Sequence, residues 1–212
     1  SNAPKNQNVW LGWMLSWKYA KEQPTFPWKG QMSAVRKLDL VETGEGLRLH
    51  QKFVPELDRK SPSFVAENIS IQKDKSKQLN GLKFLKDKIY AIDLKVSATR
   101  ANFWGIVIKG RSNKEDVRIG FDEKAMKWQI DRDRSGNILT KDFKGIQEAK
   151  AIIGHAKNFK LLIDRSTIEL LAQDGTVAIS SLRFPKDDLE DVFIVSEGGA
   201  TEIRQLKIWE LK

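Results

Sequence analysis

Apolar residues recur at every second position over most of the chain after about residue 64, and this spacing limits the possible folds more than any other feature. In residues 92–96, for example, the apolar side chains alternate with Asp93 and Lys95. A period of two is typical of a β-strand with one buried face, whereas a helix repeats every 3.6 residues. We therefore predict that this part of the chain is built from strands.

The predicted strands are short and are separated by turn signals at intervals of about eight to twelve residues. The strongest candidates are residues 103–108, 117–121, 126–130, 159–163, 168–172, 177–179, 192–195 and 203–209. Such a series predicts an all-β fold, an antiparallel two-sheet β-sandwich of the jelly-roll or concanavalin-like kind, formed by residues from about 41 to 212. The only modest helical candidates are residues 146–151 and the turn at 185–189.

The composition is that of one soluble globular domain, or of one domain with an appendage. The 212 residues contain no cysteine, which excludes disulfides, zinc–thiolate sites, iron–sulfur clusters and thiol nucleophiles. No apolar stretch approaches the ~18–20 residues that a transmembrane helix needs, so we predict no membrane span. Ser1, Asn2 and Ala3 resemble the remnant of an expression tag, and we expect the natural start and any secretion signal to be missing.

The charge balance raises the question of a nucleic-acid partner. The 37 Lys and Arg residues against 28 Asp and Glu residues give a formal net charge of +9. Electrostatic binding to a polyanion needs basic residues that form a stripe. Here they are spread along the chain with acidic residues among them, as at Lys86, Asp87 and Lys88. We predict solvated strand faces and no nucleic-acid partner, so a nucleic-acid-binding β domain is the least favoured alternative.

Metal and cofactor sites are not indicated by the sequence. His50 and His155 are more than a hundred positions apart, and neither has a second histidine or a cysteine at the spacing of metal ligands. Asp164 and Asp174 lie at predicted turns, where a short carboxylate can accept a backbone hydrogen bond. We therefore predict no metal site and no cofactor, and structural roles for these side chains.

The first forty residues differ in composition from the rest. They carry four of the seven tryptophans, which are Trp10, Trp13, Trp17 and Trp28. Pro24 and Pro27 interrupt the same segment. We place a boundary near residue 40, which divides the chain into residues 1–40 and a sandwich domain of residues 41–212.

Several stretches resemble one known family in register. Near the N-terminus they are WLGWMLSWKYA at 10–20, PTFPWKGQMS at 24–33, RKLDL at 36–40 and LHQKFVPEL at 49–57. Further along they are IDRDRSGN at 130–137, LIDRSTIELLAQDG at 162–175, FP at 184–185 and EGGA at 197–200. Together they resemble the family 32 glycoside hydrolases, which include levanases, exo-inulinases and invertases. The resemblance covers nearly the whole chain and is weakest at residues 64–100.

The resemblance implies a place in a larger enzyme. Residues 1–40 would be a tag remnant and the end of the last blade of a five-bladed catalytic propeller, residues 49–57 a linker strand, and residues 41–212 the C-terminal β-sandwich that supports the propeller. The parent would be a retaining β-fructofuranosidase acting on a fructan or sucrose-type carbohydrate. We expect it to be secreted, periplasmic or at the cell surface.

The family's catalytic carboxylates are not expected in these residues. The nucleophile lies in an Asn-Asp-Pro-Asn-Gly motif, a second aspartate in Arg-Asp-Pro and the acid/base glutamate in Glu-Cys, but the chain has no Asp-Pro pair and no cysteine. The nearest imitation, Asp131-Arg132-Asp133, falls at a predicted turn of the sandwich. We therefore predict no catalytic residue here and no activity of these residues alone.

Trp17 is the predicted substrate-binding residue. The family's tryptophan at this position lines the fructose pocket, and a flat apolar ring suits the C–H-rich side of a sugar. The alternative is that Trp13, Trp17 and Trp28 only pack the last blade, and packing is the expected role of Trp10, Trp13 and Trp28. Ser16 stands where many relatives carry asparagine.

Two further expectations concern partners. An autonomous carbohydrate-binding, lectin-like sandwich is the alternative function. A row of exposed aromatic rings on one sheet face would favour this alternative. Beyond residue 40 the candidates are Trp104, Trp128, Trp209 and Tyr90, and apolar surroundings favour burial of Trp104 and Trp209. The N-terminal segment is expected to pack on its own sandwich or to pair with a second chain, which would give a truncation-induced homodimer.

Overall fold

The computed structural model describes residues 8–54, 61–85, 87–112, 114–154 and 156–211. Strands dominate these ranges, and the helices described there are single 3₁₀ turns at Ala20–Glu22, Lys141–Phe143 and Gln173–Gly175. In the same ranges no helix is long and apolar enough to cross a membrane. The predicted all-β class is confirmed.

The N-terminal part of the chain forms a sheet of its own. Its strands are β1 (Val9–Trp10), β2 (Arg36–Thr43) and β3 (Gly46–Phe53). They pair antiparallel in the order β1-β2-β3. We call this the N-terminal sheet.

Two six-stranded antiparallel sheets make up the predicted sandwich. The strands along the chain are β4 (Phe64–Ile71), β5 (Lys75–Leu85), β6 (Tyr90–Thr99), β7 (Phe103–Gly110), β8 (Asp116–Asp122), β9 (Lys127–Arg134), β10 (Ile146–Lys150), β11 (Asn158–Ile163), β12 (Thr167–Ala172), β13 (Val177–Leu182), β14 (Leu189–Glu197) and β15 (Thr201–Glu210). The first sheet has the order β10-β9-β8-β7-β14-β5, and the second has the order β13-β12-β11-β6-β15-β4.

The core lies between these two sheets and is filled from alternate positions of the strands. Ile92 and Leu94 are buried there, as the period of two predicts. Trp104 and Trp128 meet edge to face in its centre, with ring centroids 5.5 Å apart. Each large aromatic side chain removes ~150–250 Å² from water, so this pair is among the largest contributors to the stability of the sandwich.

Two predicted helical segments are wrong. Residues 146–150 form β10, because exposed Ile146, Glu148 and Lys150 alternate with half-buried residues and so follow a period of two. Residues 185–188 form an irregular connection before β14. Side chains of the neighbouring loop satisfy its backbone there, since Glu115 accepts a hydrogen bond from the Lys186 N–H at 2.9 Å.

The predicted boundary near residue 40 and the predicted turn at residues 130–137 can be placed on the strands of the structure. Residue 40 lies inside β2, which pairs with β3 along its whole length, and the sandwich strands begin only at Phe64. Residues 131–134 belong to β9 and are not a turn. Residues 55–57 of the predicted linker lie outside the described residues. The division into a 1–40 unit and a 41–212 unit stays a prediction.

The turn between β12 and β13 touches the N-terminal sheet through Gly175. This glycine has φ of +90°, and a Cβ built on it would lie 1.9 Å from the carbonyl oxygen of Gln51 in β3. Glycine is therefore required twice here, for its backbone conformation and for the close approach of β3.

Gly175→Ala is expected to lower the free energy of unfolding by roughly 2–4 kcal/mol, because it combines left-handed strain with a steric clash. Gly46→Ala is the matched control, since Gly46 has φ of +95° and open space around its Cβ position. Its loss should be about 1–2 kcal/mol. Urea denaturation of both variants measures the difference, and equal losses would show that the contact with Gln51 contributes nothing.

Candidate functional site

The N-terminal sheet lies against the outer face of the second sandwich sheet. The backbone N–H of Ala34 donates to Oε1 of Glu169 at 2.6 Å, and Nε2 of Gln31 donates to Oγ of Ser166 at 2.9 Å. All six residues of β12 are buried, although a sandwich strand usually leaves one face in water. The tryptophan-bearing segment is thus held on the chain's own sandwich.

A buried charged cluster lies at the centre of this contact. Arg36 is 4% exposed and Glu169 is 2% exposed, and Nη2 of Arg36 forms an ion pair with Oε2 of Glu169. Nη2 also donates to Oγ of Ser180 at 2.6 Å, and Nη1 donates to Oε1 of Gln51 at 2.9 Å. We call these four residues the Arg36 cluster. It joins β2 and β3 to β12 and β13.

The Arg36 cluster was not predicted from the sequence, although one signal for it is present there. Glu169 is flanked by Ile168 and Leu170 in a strand that is otherwise apolar. A carboxylate in a fully buried strand requires a cation or several hydrogen-bond donors. The identity of the partner was not predictable, because Arg36 lies 133 positions away in sequence.

An aromatic contact holds the segment at a second point. Tyr19 meets Phe143 edge to face with ring centroids 5.2 Å apart, and Met14 packs on the same group of apolar side chains. The guanidinium carbon of Arg132, in β9, lies 3.9 Å from the centroid of the Phe143 ring. This distance is typical of a cation–π contact.

Trp17 projects from this segment and is 83% exposed. Its ring meets Trp13 edge to face, with centroids 5.4 Å apart and an interplanar angle of 77°. Phe26 is 94% exposed, and Trp10, Trp13 and Trp28 are about half exposed. The segment therefore presents aromatic rings to its surroundings even though it is packed on the sandwich.

A surface of this kind can bind the apolar faces of sugar rings or can be covered by further protein. The structure places the ring of Trp17 against Trp13. Trp10, Leu15 and Ser16 line a cavity beside this segment, and Trp17 is not part of its lining. The role of Trp17 as a substrate-binding residue stays a prediction, as does the packing role of its neighbours.

The other candidates from the sequence have local structural contacts. Nδ1 of His50 lies 4.0 Å from Oδ2 of Asp39, and His155 lies outside the described residues. Asp164 accepts a hydrogen bond from the Arg165 N–H at 2.6 Å, and Asp174 accepts one from Nδ2 of Asn158 at 2.8 Å. No group of three or more potential metal ligands occurs among the described residues.

The aromatic rings of the sandwich mostly belong to its core. Trp104, Trp128 and Tyr90 are buried, and Trp209 is half-buried. They do not offer the row of exposed rings that would favour the lectin-like alternative.

Two protein-family models match the chain. Residues 1–52 match the model described as glycosyl hydrolases family 32 N-terminal domain, and residues 56–210 match glycosyl hydrolases family 32 C terminal. The change from one model to the other falls between β3 and β4, where the chain leaves the N-terminal sheet and enters the sandwich.

Named relatives and solved structures agree with these matches. A levanase of Bacillus subtilis (strain 168) is 29% identical over 212 residues, covering 98% of this chain and 31% of the levanase. An extracellular exo-inulinase of Aspergillus niger is 25% identical over 203 residues, covering 92% of this chain and 37% of the inulinase. The exo-inulinase crystal structure from Aspergillus awamori superimposes with a TM-score of 0.87 at 22% identity, over 99% of this chain and 41% of that chain. The chain thus spans about a third of the length of these curated relatives.

Breaking the Arg36 cluster from one side should be costly. Glu169→Gln is expected to lower the free energy of unfolding by about 3–5 kcal/mol, because it leaves a buried guanidinium without its carboxylate. The double variant Arg36→Met/Glu169→Leu should lose clearly less free energy of unfolding than the sum of the losses of the single variants Arg36→Met and Glu169→Leu.

The half-exposed pair Arg118–Glu197, with atoms 2.8 Å apart, is the control. Glu197→Gln should cost less than about 1 kcal/mol. Urea denaturation compares the variants, and a loss for Glu169→Gln no greater than that of the control would contradict the role of the Arg36 cluster.

Proposed function

The chain belongs to glycoside hydrolase family 32, and from this membership we propose that it is the C-terminal portion of a fructan-hydrolysing glycosidase of the levanase or inulinase type. The observation that carries the proposal is the match of both family models in succession, with their junction at the passage from the N-terminal sheet into the sandwich. The named relatives support fructans as the substrate class.

The proposed role of the sandwich is structural support of the catalytic part. The Arg36 cluster supports this role, because it fixes β2 and β3 on the sandwich through buried charges and hydrogen bonds. In the proposal, the sandwich holds the last strands of the propeller in place and thereby holds the segment that carries Trp17. Support of this kind needs rigidity rather than chemistry.

We propose that hydrolysis proceeds with retention and that its carboxylates lie in the part of the polypeptide that precedes these residues. A retaining glycosidase needs two carboxyl groups about 5–5.5 Å apart across the scissile bond. The absence of any Asp-Pro pair and of cysteine from the chain supports this assignment. Trp17 would bind the apolar face of a fructosyl unit with its exposed ring and would thereby orient the unit towards those carboxylates.

We also propose that the parent acts outside the cytoplasm, since several relatives are named extracellular.

A second proposal concerns the chain on its own. Trp10 and Leu11 are exposed at the edge strand of the N-terminal sheet, which supports pairing of this edge with the same edge of a second copy.

The activity proposal predicts a clear difference between two proteins. Residues 1–212 alone should release no fructose from levan, inulin or sucrose above a buffer control, whereas the complete polypeptide should do so. In the complete polypeptide, Trp17→Ala should lower kcat/KM about 10- to 100-fold, which corresponds to losing ~1.5–3 kcal/mol of apolar contact. Trp10→Ala is the control and should leave kcat/KM within about threefold while reducing stability. Fructose release by residues 1–212 would refute the assignment of the carboxylates.

The pairing proposal predicts concentration-dependent dimers of residues 1–212 in light scattering. Trp10→Lys should abolish them, because a charge at the strand edge opposes edge-to-edge pairing. Val65→Lys, at an exposed position on β4, is the matched control and should leave the dimer intact. If the unmodified chain is monomeric at every concentration, the segment packs only on its own sandwich.

A further inference from the structure

A cavity of about 420 Å³ separates the tryptophan-bearing segment from the sandwich. Arg36 and Arg132 both contribute to its wall, and the described residues that line it include no acidic side chain. Gln51, Gln147 and Ser180 add neutral polar groups. The described wall of the cavity therefore carries two guanidinium groups and no carboxylate, and it combines buried side chains of the sandwich with half-exposed rings of the N-terminal segment.

Arg132 differs from the other buried arginines of the described chain in its partners. Arg36 is paired with Glu169, and Arg183 is paired with Glu190 at 2.8 Å. Arg132 is 3% exposed, and its hydrogen bonds go to neutral acceptors, the Leu182 carbonyl at 3.2 Å and Ser181 Oγ at 3.5 Å. No carboxylate of the described residues lies within ion-pair distance of Arg132.

The neighbouring carboxylate of Asp133 acts on the charge of Arg132 only at a distance. Asp133 follows Arg132 in β9, and consecutive residues of a strand point to opposite faces, so its exposed side chain points away from the cavity. It accepts a hydrogen bond from the Gly145 N–H at 2.5 Å. The charge of Arg132 therefore has no direct counterion in the described chain.

A buried cation without a direct counterion lowers stability, even after the surrounding structure relaxes. The Phe143 ring at 3.9 Å and the Tyr19 ring at 5.9 Å offset part of this cost through cation–π contacts. Burial lowers the pKa of the Arg132 guanidinium, and the Tyr19 hydroxyl and the charge of Asp133 raise it in part. An arginine nevertheless stays protonated in a protein, so its charge must be balanced from elsewhere.

The guanidinium groups also have unused hydrogen-bonding capacity. Nε of Arg36 and Nε of Arg132 are both buried without a hydrogen-bond partner. Since Oε1 of Gln51 already accepts from Arg36, the amide NH₂ of Gln51 remains as a donor. Donors thus outnumber acceptors around the cavity, which favours a ligand that brings acceptors and negative charge.

We propose that this cavity binds a phosphorylated monosaccharide, with the phosphate group against Arg132 and Arg36. Guanidinium groups recognise phosphate through paired hydrogen bonds, which makes arginine the preferred partner of such groups. The volume lies within the ~300–1,000 Å³ range of small-molecule sites and leaves room for more than an inorganic ion. Trp10 and Trp13 also line the cavity and offer ring faces for the sugar body.

This ligand would contact the N-terminal segment and the sandwich at once. It would supply the counterion that Arg132 lacks and would stabilise the packing of the two parts. The inference rests on the buried charge and not on the proposed fructan hydrolysis, so each can fail without the other.

The test is calorimetric titration of residues 1–212 at constant ionic strength with fructose 6-phosphate, inorganic phosphate and fructose. We expect saturable binding of one fructose 6-phosphate per chain, at least about tenfold tighter than fructose and tighter than phosphate. Arg132→Gln and, independently, Gln147→Glu should each weaken this binding at least about tenfold. Gln147→Glu keeps both arginines and introduces a negative charge into the wall.

Arg118→Gln is the control, because it removes an arginine from the half-exposed pair with Glu197, outside the cavity lining, and should leave the affinity unchanged. If Arg132→Gln fails to fold by circular dichroism, Gln147→Glu alone decides. No saturable binding of fructose 6-phosphate up to about 10 mM, or unchanged affinity in Gln147→Glu, would overturn the proposal. Equal affinities for phosphate and fructose 6-phosphate would also overturn it and would assign the cavity to the free ion.

Discussion

The ion pair between Arg36 and Glu169 joins two parts of the chain that are 133 residues apart in sequence. Either charge alone would be buried at a cost of several kcal/mol, so the N-terminal sheet cannot leave the sandwich without exposing or stranding one of them. Ser180, Gln51 and the backbone of Ala34 add hydrogen bonds to the pair. The position of the tryptophan-bearing segment depends on this arrangement.

The same contact explains why β12, in the second sheet, is buried on both faces. Its inner face packs on the core around Trp104 and Trp128, and its outer face is covered by β2 and β3. The strand β12 consequently reads as a nearly continuous apolar run with Glu169 inside it. A strand with two covered faces usually belongs to a parallel sheet, but here an antiparallel sheet has a second layer on top.

Much of the fold could be predicted from the period of two, because alternation reports directly on a strand with one buried face. It gave the core positions Ile92 and Leu94 and the class of the sandwich. It failed at residues 146–150, where a short edge strand has a single apolar residue on its exposed face and little pattern to read. Polar contacts between distant residues could not be predicted, because no local sequence pattern indicates that Arg36 pairs with Glu169. For the same reason, the lack of a carboxylate partner at Arg132 was not predictable.

The candidate site was predictable only through the resemblance of residues 10–40 to known enzymes. Composition alone identified a segment rich in tryptophan, but not whether each ring binds sugar or packs on protein. Trp17 and Phe26 are exposed in this chain. Sugar binding and packing against further protein both require such an exposed ring, so exposure alone does not distinguish these two roles.

The location of the Arg36 cluster also limits how such enzymes can be recombined. Arg36 and Gln51 lie in the stretch matched by the N-terminal family model, whereas Glu169 and Ser180 lie in the stretch matched by the C-terminal one. A chimera that joins the N-terminal part of one relative to the sandwich of another, cut between residues 52 and 56, would separate two buried charges that compensate each other. Recombination at this position would therefore preserve stability only when the two donor parts carry matching residues.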